Sequence, residues 1–279
     1  MRNLFTLRSR GKNLELGKRT RLMGVVNITP DSFYDGGRHA DAEEAVQHAL
    51  QLLAEGADIV DLGGQSTRPG SQPVGPEEEL RRVLPVLRML RSQTDAWISI
   101  DTYRSEVAHV CLTEGADLLN DVSSFRMDPR MTAVTSKYDV PVVCMHFLES
   151  LHPMPANPHY EDLFGEIMHF FHDTFRIAET AGVTRDRIVV DPGIGFGKNL
   201  DHNLRLIRGL SFLQTLECPV LAGPSRKSFI GKITGLPAEQ RLEGAAAAAA
   251  ICVQQGAHIL RVHDVAFMRR FCDVLDELV

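Results

Sequence analysis

Eight short apolar runs in this chain each end on a polar or glycine-rich cluster, and that recurrence limits the possible folds more than any other feature. The runs cover residues 22–28, 59–62, 97–100, 118–119, 140–145, 188–190, 220–222 and 259–262. In order they deliver Asn27, Asp61 followed by Thr67 and Arg68, Asp101, Asn120, His146, Asp191, the stretch Ser225-Arg226-Lys227, and Arg261 with His263. Successive polar ends lie 19 to 45 residues apart, counted along positions 27, 61, 101, 120, 146, 191, 225 and 261. Each interval holds one strand and one helix. Short runs that are apolar throughout are what a parallel sheet needs, because helices cover both of its faces. Right-handed crossovers then point every strand the same way. The expectation is an α/β protein, an eightfold (β/α)8 TIM barrel, with all polar strand ends at one mouth.

A weak internal repeat supports repeated βα units. Glu55-Gly-Ala-Asp-Ile-Val, Glu114-Gly-Ala-Asp-Leu-Leu and Gln255-Gly-Ala-His-Ile-Leu each place a glycine where a helix ends and a buried strand begins almost at once. The clearest helical periodicity runs over 41–55, with Ala45, Ala49, Leu52 and Leu53 on one face and Asp41 expected as N-cap, Glu44 three positions on. Residues 1–20 are expected to be an extension packed on the barrel domain of 21–279. Leu4, Leu7, Leu14 and Leu16 around Gly11 predict a hairpin closing the end opposite the mouth.

Composition narrows the function. A net charge of −6 opposes long-range attraction to nucleic acid or an anionic membrane, while leaving room for a local basic cluster that binds a small anion. The longest apolar stretch, 245–253, is nine residues of mostly alanine, far short of the roughly 20 needed to span a bilayer. With no apolar signal region in the first twenty residues, a cytoplasmic location is expected. The five cysteines are widely spaced among apolar neighbours, so buried reduced thiols are expected.

Asp101, Asn120 and Asp191 each end a strand and would converge on one cavity, where carboxylates and an amide carbonyl accept hydrogen bonds from a ring edge rich in N–H donors, such as an aminopyrimidine. The plainer alternative makes these acids helix caps. Late in the chain Arg226, Lys227, Arg261 and His263 gather at strands seven and eight, where such barrels often hold phosphate, and Arg68 adds a forked cation. The alternative there is surface ion pairing of Arg226 and Arg261. Gly193-Ile-Gly-Phe-Gly-Lys198 fits neither a dinucleotide fingerprint, whose third glycine is replaced by Lys198, nor a Walker A loop, whose first glycine is replaced by Pro192. His169 and His172 stand three apart without a third ligand, which disfavours a zinc site. Asn27 offers an oxygen suited to Mg²⁺ shared with a ligand diphosphate.

The chain resembles the dihydropteroate synthase family from about Leu22 to its end. The resemblance rests on Asn27-Ile-Thr-Pro-Asp-Ser-Phe33 with Asp35-Gly-Gly37, on Gly63-Gly-Gln-Ser-Thr-Arg-Pro-Gly70, and on Ile100-Asp-Thr102 and Asn120-Asp121. It continues through Met145-His146, Asp191-Pro-Gly-Ile-Gly-Phe-Gly-Lys-Asn199, Ser225-Arg-Lys-Ser228 and Arg261-Val-His-Asp264. It implies a homodimeric barrel that joins 6-hydroxymethyl-7,8-dihydropterin diphosphate to p-aminobenzoate, giving 7,8-dihydropteroate and diphosphate. It assigns Asp101, Asn120 and Asp191 to the pterin ring, bordered by Met145, Lys227 and Arg261. Asn27 would bind Mg²⁺ with the diphosphate, which Arg261, His263 and Arg68 approach. Thr67, Arg68, Pro69, Phe196 and Ser228 would shape the p-aminobenzoate site, where sulfonamides compete. Asp35, Arg68 and Lys227 would serve the chemistry, on two loops that close over the substrates and on strand seven.

Three departures stand out. Gln65 replaces the family's usual Glu, Tyr103-Arg104 replaces a small residue and Lys, and Phe147-Leu-Glu-Ser-Leu151 replaces the usual Met-x-Gly-x-Pro after the fifth strand. A non-catalytic pterin-binding paralogue is therefore one alternative, and a methyltetrahydrofolate:corrinoid methyltransferase another. The second has no need of Ser225-Arg-Lys-Ser228.

Overall fold

In the computed structural model, which describes residues 2–28, 38–65, 74–148 and 157–279, the chain alternates strand and helix. A hairpin comes first, from β1 (Phe5–Ser9) and β2 (Lys12–Leu16). The repeating units follow as β3 (Arg21–Asn27), α1 (Arg38–Ala54), β4 (Ile59–Gly63), α2 (Pro76–Arg91), β5 (Trp97–Asp101), α3 (Ser105–Thr113), β6 (Leu118–Asp121), α4 (Met131–Tyr138) and β7 (Val142–Met145). The rest is α5 (Leu163–Thr180), β8 (Ile188–Asp191), α6 (Leu200–Arg208), β9 (Leu221–Ala222), α7 (Ser228–Thr234), α8 (Leu242–Gln254), β10 (Ile259–Val262) and α9 (Val265–Asp276).

Strands β3 to β10 pair in parallel in the order β8-β7-β6-β5-β4-β3-β10-β9. A parallel bridge between Val190 and Val220, with Val190 N–H donating to Pro219 at 2.9 Å, brings the two outer strands together and closes the barrel. Alternation along each strand sorts the side chains. Leu22, Val60, Ile98, Leu119, Val142, Val190, Ala222 and Leu260 face outward and pack with the helices in one large core. Met23, Ile59, Trp97, Leu118, Val143, Val189, Leu221 and Ile259, one from each strand, face inward and form a second core. The hairpin supplies Leu7, Leu14 and Leu16 to that inner cluster and so plugs the lower end.

The repeated Gly-Ala junction has a double use. Gly56, Gly115 and Gly256 adopt φ of 104°, 107° and 105°, a left-handed conformation that ends the helix without the clash a Cβ brings. Two residues later, Asp58, Asp117 and His258 each accept a backbone N–H from an adjoining strand: Leu22 at 2.9 Å, Ile98 at 3.0 Å and Val220 at 3.0 Å. The repeat thus pins neighbouring strands at their N-terminal ends.

Two local expectations are corrected. Asp41 lies inside the first turn of α1, which starts at Arg38, so it complements the helix dipole and does not cap. Leu4 is 66% exposed, since it precedes the paired part of the hairpin, and takes no part in the plug. All five cysteines are free thiols and buried, as expected. The alanine-rich stretch is buried on one face of α8, and no helix among the described residues is long and apolar enough to cross a membrane.

Candidate active site

Two residues further along each strand, the inward positions change character. Above the apolar ring stand Val25, Asp61, Ser99, Asn120, Met145, Asp191, Gly223 and Arg261, five of them polar or charged. Burying such groups is costly unless they pair, and Asp61, Asn120 and Arg261 pair with one another across the barrel. Arg261 donates to Asp61 at 2.7 Å through Nε and to Asp101 at 2.8 Å. Asn120 donates to the same oxygen of Asp61 at 3.0 Å. Strand ends from β4, β5, β6 and β10 are thereby joined around one guanidinium.

The second half of the pocket comes from β8 and the segment after β9. Asp191 accepts the Gly193 N–H at 2.8 Å. Gly193 has φ of 70°, and a Cβ there would lie 2.0 Å from the His146 carbonyl oxygen, so only glycine fits the turn. The Lys227 ammonium lies 4.2 Å from the centre of the Phe196 ring, a cation–π contact. Val122, Met145, Tyr103, Phe147 and Phe196 form a small apolar cluster at the mouth.

Charge in this pocket is held away from its ordinary solution behaviour. Burial, reinforced by Asp61, pushes Asp101 up to about 7 against the pull of Arg261. Asp191 is raised by burial as well, opposed by its bond from Gly193. Burial, with Arg261 near, brings Lys227 down to about 8. Lys198 is brought down to about 7 by burial and lies 2.9 Å from Nδ1 of a His146 held neutral by its own burial. Perturbed groups clustered in a cleft mark functional sites.

Beside this pocket, Asn27, Arg226 and His263 line a cleft against α1. Among the described residues the Asn27 side chain has no hydrogen-bond partner, and a Mg²⁺ shell could use its oxygen. His263 sits 3.0 Å from the Ser225 hydroxyl, and burial with Arg261 nearby lowers it to about 4. It therefore brings hydrogen bonds, not a cationic charge, near neutral pH. Arg226 is held at 2.5 Å by Asp264, so the surface-pairing alternative holds for Arg226. Arg261 is paired too, but inside the pocket.

The convergence of Asp101, Asn120 and Asp191 is as expected, and none of them caps a helix: the N-caps of α3, α4 and α6 are Arg104, Arg130 and Asn199. Met145, Phe196, Lys227 and Arg261 border the same pocket, and Ser228 is the exposed first residue of α7. Asp35, Thr67, Arg68 and Pro69 lie outside the described residues. His169 is exposed and pairs with Asp173, and no group of three His, Cys, Asp or Glu suited to a metal occurs among the described residues. The roles of Asp61 and Lys198 escape the sequence. Asp61 stands among the polar strand ends with no role of its own, and only the closed barrel sets it between Arg261 and Asn120.

The family model for pterin binding enzymes matches residues 23–263. A dihydropteroate synthase from Synechocystis sp. is 44% identical over 263 residues, 94% of this chain and 91% of that protein. The Xanthomonas albilineans dihydropteroate synthase with 4-aminobenzoic acid superposes with a TM-score of 0.92 at 43% identity, covering 99% of this chain and 98% of that one. The same enzyme in complex with 7,8-dihydropteroate gives 0.88 at 42% identity, with 98% of each chain covered. With the barrel, the buried acids around Arg261 and these likenesses together, the chain belongs to the pterin binding enzymes and, within them, to the dihydropteroate synthase family.

Proposed function

We propose that the upper inward ring is where this chain carries out its family's reaction, the condensation of 6-hydroxymethyl-7,8-dihydropterin diphosphate with p-aminobenzoate. The observation that carries the assignment is the meeting of Asp61, Asp101, Asn120 and Arg261 in one pocket that Asp191 and Lys227 complete. The ring N–H and amino donors of the pterin meet Asp101 and Asp191, while Lys227 and Arg261 donate to its acceptor atoms. Related structures holding 4-aminobenzoic acid and 7,8-dihydropteroate support the two substrate classes. The arylamine lies toward Phe196 and Ser228, and the family resemblance assigns Thr67, Arg68 and Pro69 to the same substrate.

The electron-rich pterin spreads the positive charge that develops on its methylene carbon. The C–O bond breaks and its electron pair leaves with diphosphate. The amine lone pair forms the new C–N bond, and the nitrogen sheds a proton to solvent. Lys227 and Arg261, already desolvated, stabilise charge without reorganising at the moment of reaction. Asn27, which ends β3 in the adjoining cleft, offers an amide oxygen of the kind a hard cation takes. Mg²⁺ bound there would neutralise charge on the departing group. His263 donates to the same diphosphate, and Asp35 serves from the segment after β3. Homodimer formation is part of the proposal, supported by the exposed Ile233, Leu236 and Ile251 on and beside α7 and α8.

Diphosphate release by purified protein tests the assignment, with Mg²⁺, the pterin diphosphate and p-aminobenzoate each omitted in turn. Release needing all three is the expected result. Pterin binding without release would instead indicate the non-catalytic paralogue. Light scattering tests the dimer.

A further inference from the structure

Gln65, Tyr103 and Arg104, which make up two of the three departures from the family's usual pattern, are in contact with one another. The Arg104 guanidinium donates through one terminal nitrogen to the Gln65 side-chain oxygen at 2.8 Å and to the buried carboxylate of Glu79. Through the other it donates to the Val74 carbonyl at 2.5 Å and to the Tyr103 hydroxyl at 3.0 Å. The same hydroxyl accepts from the Gln65 amide at 3.2 Å, and the guanidinium stacks 4.6 Å from the Tyr103 ring centre. Four acceptors on three separate stretches of chain thus use the four N–H bonds of the two terminal nitrogens.

Two of those acceptors are Gln65, just after β4, and Val74, just before α2. They are the described residues on either side of 66–73, the stretch that contains Thr67, Arg68 and Pro69. Glu79 is 1% exposed and is raised by burial, so it needs its cationic partner to hold charge. A glutamine is the side chain this arrangement requires at 65, because its amide accepts from Arg104 while donating to Tyr103. A glutamate only accepts, and it would set a second anion beside Glu79. Lysine at 104 would offer one tetrahedral ammonium in place of the planar fork, and could not reach four acceptors in this geometry. The Tyr103 ring joins the cluster of Met145 and Phe196 at the mouth, which ties the fork to the substrate pocket.

We infer that Arg104, acting with Gln65, Tyr103 and Glu79, is a positioning residue that fixes residues 65 and 74 relative to each other and so sets the arylamine side of the site. The inference rests on the proposed assignment of Thr67, Arg68 and Pro69 to p-aminobenzoate. Steady-state kinetics with the full chain test it. Arg104→Ala should raise KM for p-aminobenzoate about tenfold, with pterin diphosphate KM and kcat changed less than about threefold. Arg104→Lys, which keeps Glu79 paired and so protects folding, should give a smaller rise of about threefold. Gln65→Ala should match it. Hydrogen exchange of peptides spanning 65–74 should quicken in each variant while peptides from β7 to β9 stay unchanged. Arg68→Ala runs alongside. A rise in p-aminobenzoate KM for Arg68→Ala but not for the Arg104 variants overturns the inference. No rise for Arg68→Ala overturns the underlying assignment, and unchanged exchange at 65–74 then overturns the positioning role on its own. Equal loss in both KM values and kcat would mark Arg104 as purely structural.

Discussion

The eight strands build two inward rings only two residues apart, and the rings obey opposite rules. In the lower ring every position from Met23 to Ile259 is apolar, fully or almost fully buried, and sealed by leucines of the hairpin. In the upper ring Asp61, Asn120, Asp191 and Arg261 occupy the corresponding places and pair with one another or with the backbone, in contacts that leave charge poised and one oxygen of Asp61 unused among the described residues. A methylene in the lower ring serves only the stability of the fold. A charge in the upper ring is held at a cost that ligand binding repays. If that division is real, substitutions two residues apart on one strand should separate stability from affinity.

The largest effect is expected in the lower ring. Leu118→Ala removes a fully buried side chain from the inner core and should cost about 2–5 kcal/mol of unfolding free energy by denaturant titration. Pterin affinity per folded molecule should stay the same. A parallel fall in affinity would break the separation. Next is Lys227→Met, expected to lower kcat about hundredfold, a barrier change of roughly 2.7 kcal/mol. Its effect on stability has a definite sign. A lysine held at about 8 in the fold and near 10.5 when unfolded penalises the folded state below pH 8, and the penalty fades as pH rises toward 10.5. The variant should therefore melt at or above the parent's temperature near pH 7, and the gap should narrow by pH 10. A variant that melts well below the parent at every pH would make Lys227 a fold residue.

Asp101→Asn sits between these. Loss of charge-assisted hydrogen bonds worth about 1.5–3 kcal/mol should weaken pterin binding roughly tenfold to a hundredfold by calorimetry. The same group gives a pH dependence. Asp101 is held near 7 by burial, so a ligand edge of N–H donors must bind the ionised form. The dissociation constant should rise as pH falls below about 7, approaching tenfold per unit. For stability the sign is reversed: a carboxylate raised in the fold favours folding below its unfolded value near 3.8, and that advantage is lost as pH rises through 7. Asp101→Asn should flatten the affinity profile. A profile unchanged in the variant would assign the titration to Asp191.

What the sequence displays and what it hides follow from the same geometry. The lower ring is legible because unbroken apolar runs can be read residue by residue, and the Gly-Ala junction repeats visibly at 56, 115 and 256. Asp101, Asn120 and Asp191 are legible because a polar residue that ends such a run has few other places to go. Asp61 is visible as a polar strand end but its role is not, because its partners lie 59 and 200 residues away. Arg226 misleads for a related reason. Its neighbour in sequence, Lys227, faces the pocket, whereas a left-handed turn at φ 55° carries Arg226 to Asp264. The N-cap expected at Asp41 fails because α1 starts three residues earlier, a choice that periodicity alone does not fix.

The smallest predicted effect is the most discriminating between the rings. Ser99 stands opposite Asp61 in register, is fully buried, and its hydroxyl has no hydrogen-bond partner among the described residues. One oxygen of Asp61 likewise has none among those residues. In the lower ring such a group would be a defect, and removing it would help, because a buried unpaired hydroxyl costs about 1–3 kcal/mol. In the upper ring the same hydroxyl would instead be available to donate to a bound molecule. Ser99→Ala should thus raise the melting temperature by a few degrees at most, about what 1 kcal/mol gives in a chain of this size. Pterin affinity should change less than about twofold if Ser99 belongs with the packing below. A fall near tenfold with stability unchanged would place Ser99 with the binding groups, and would move the boundary between the two rings down to Trp97 on β5.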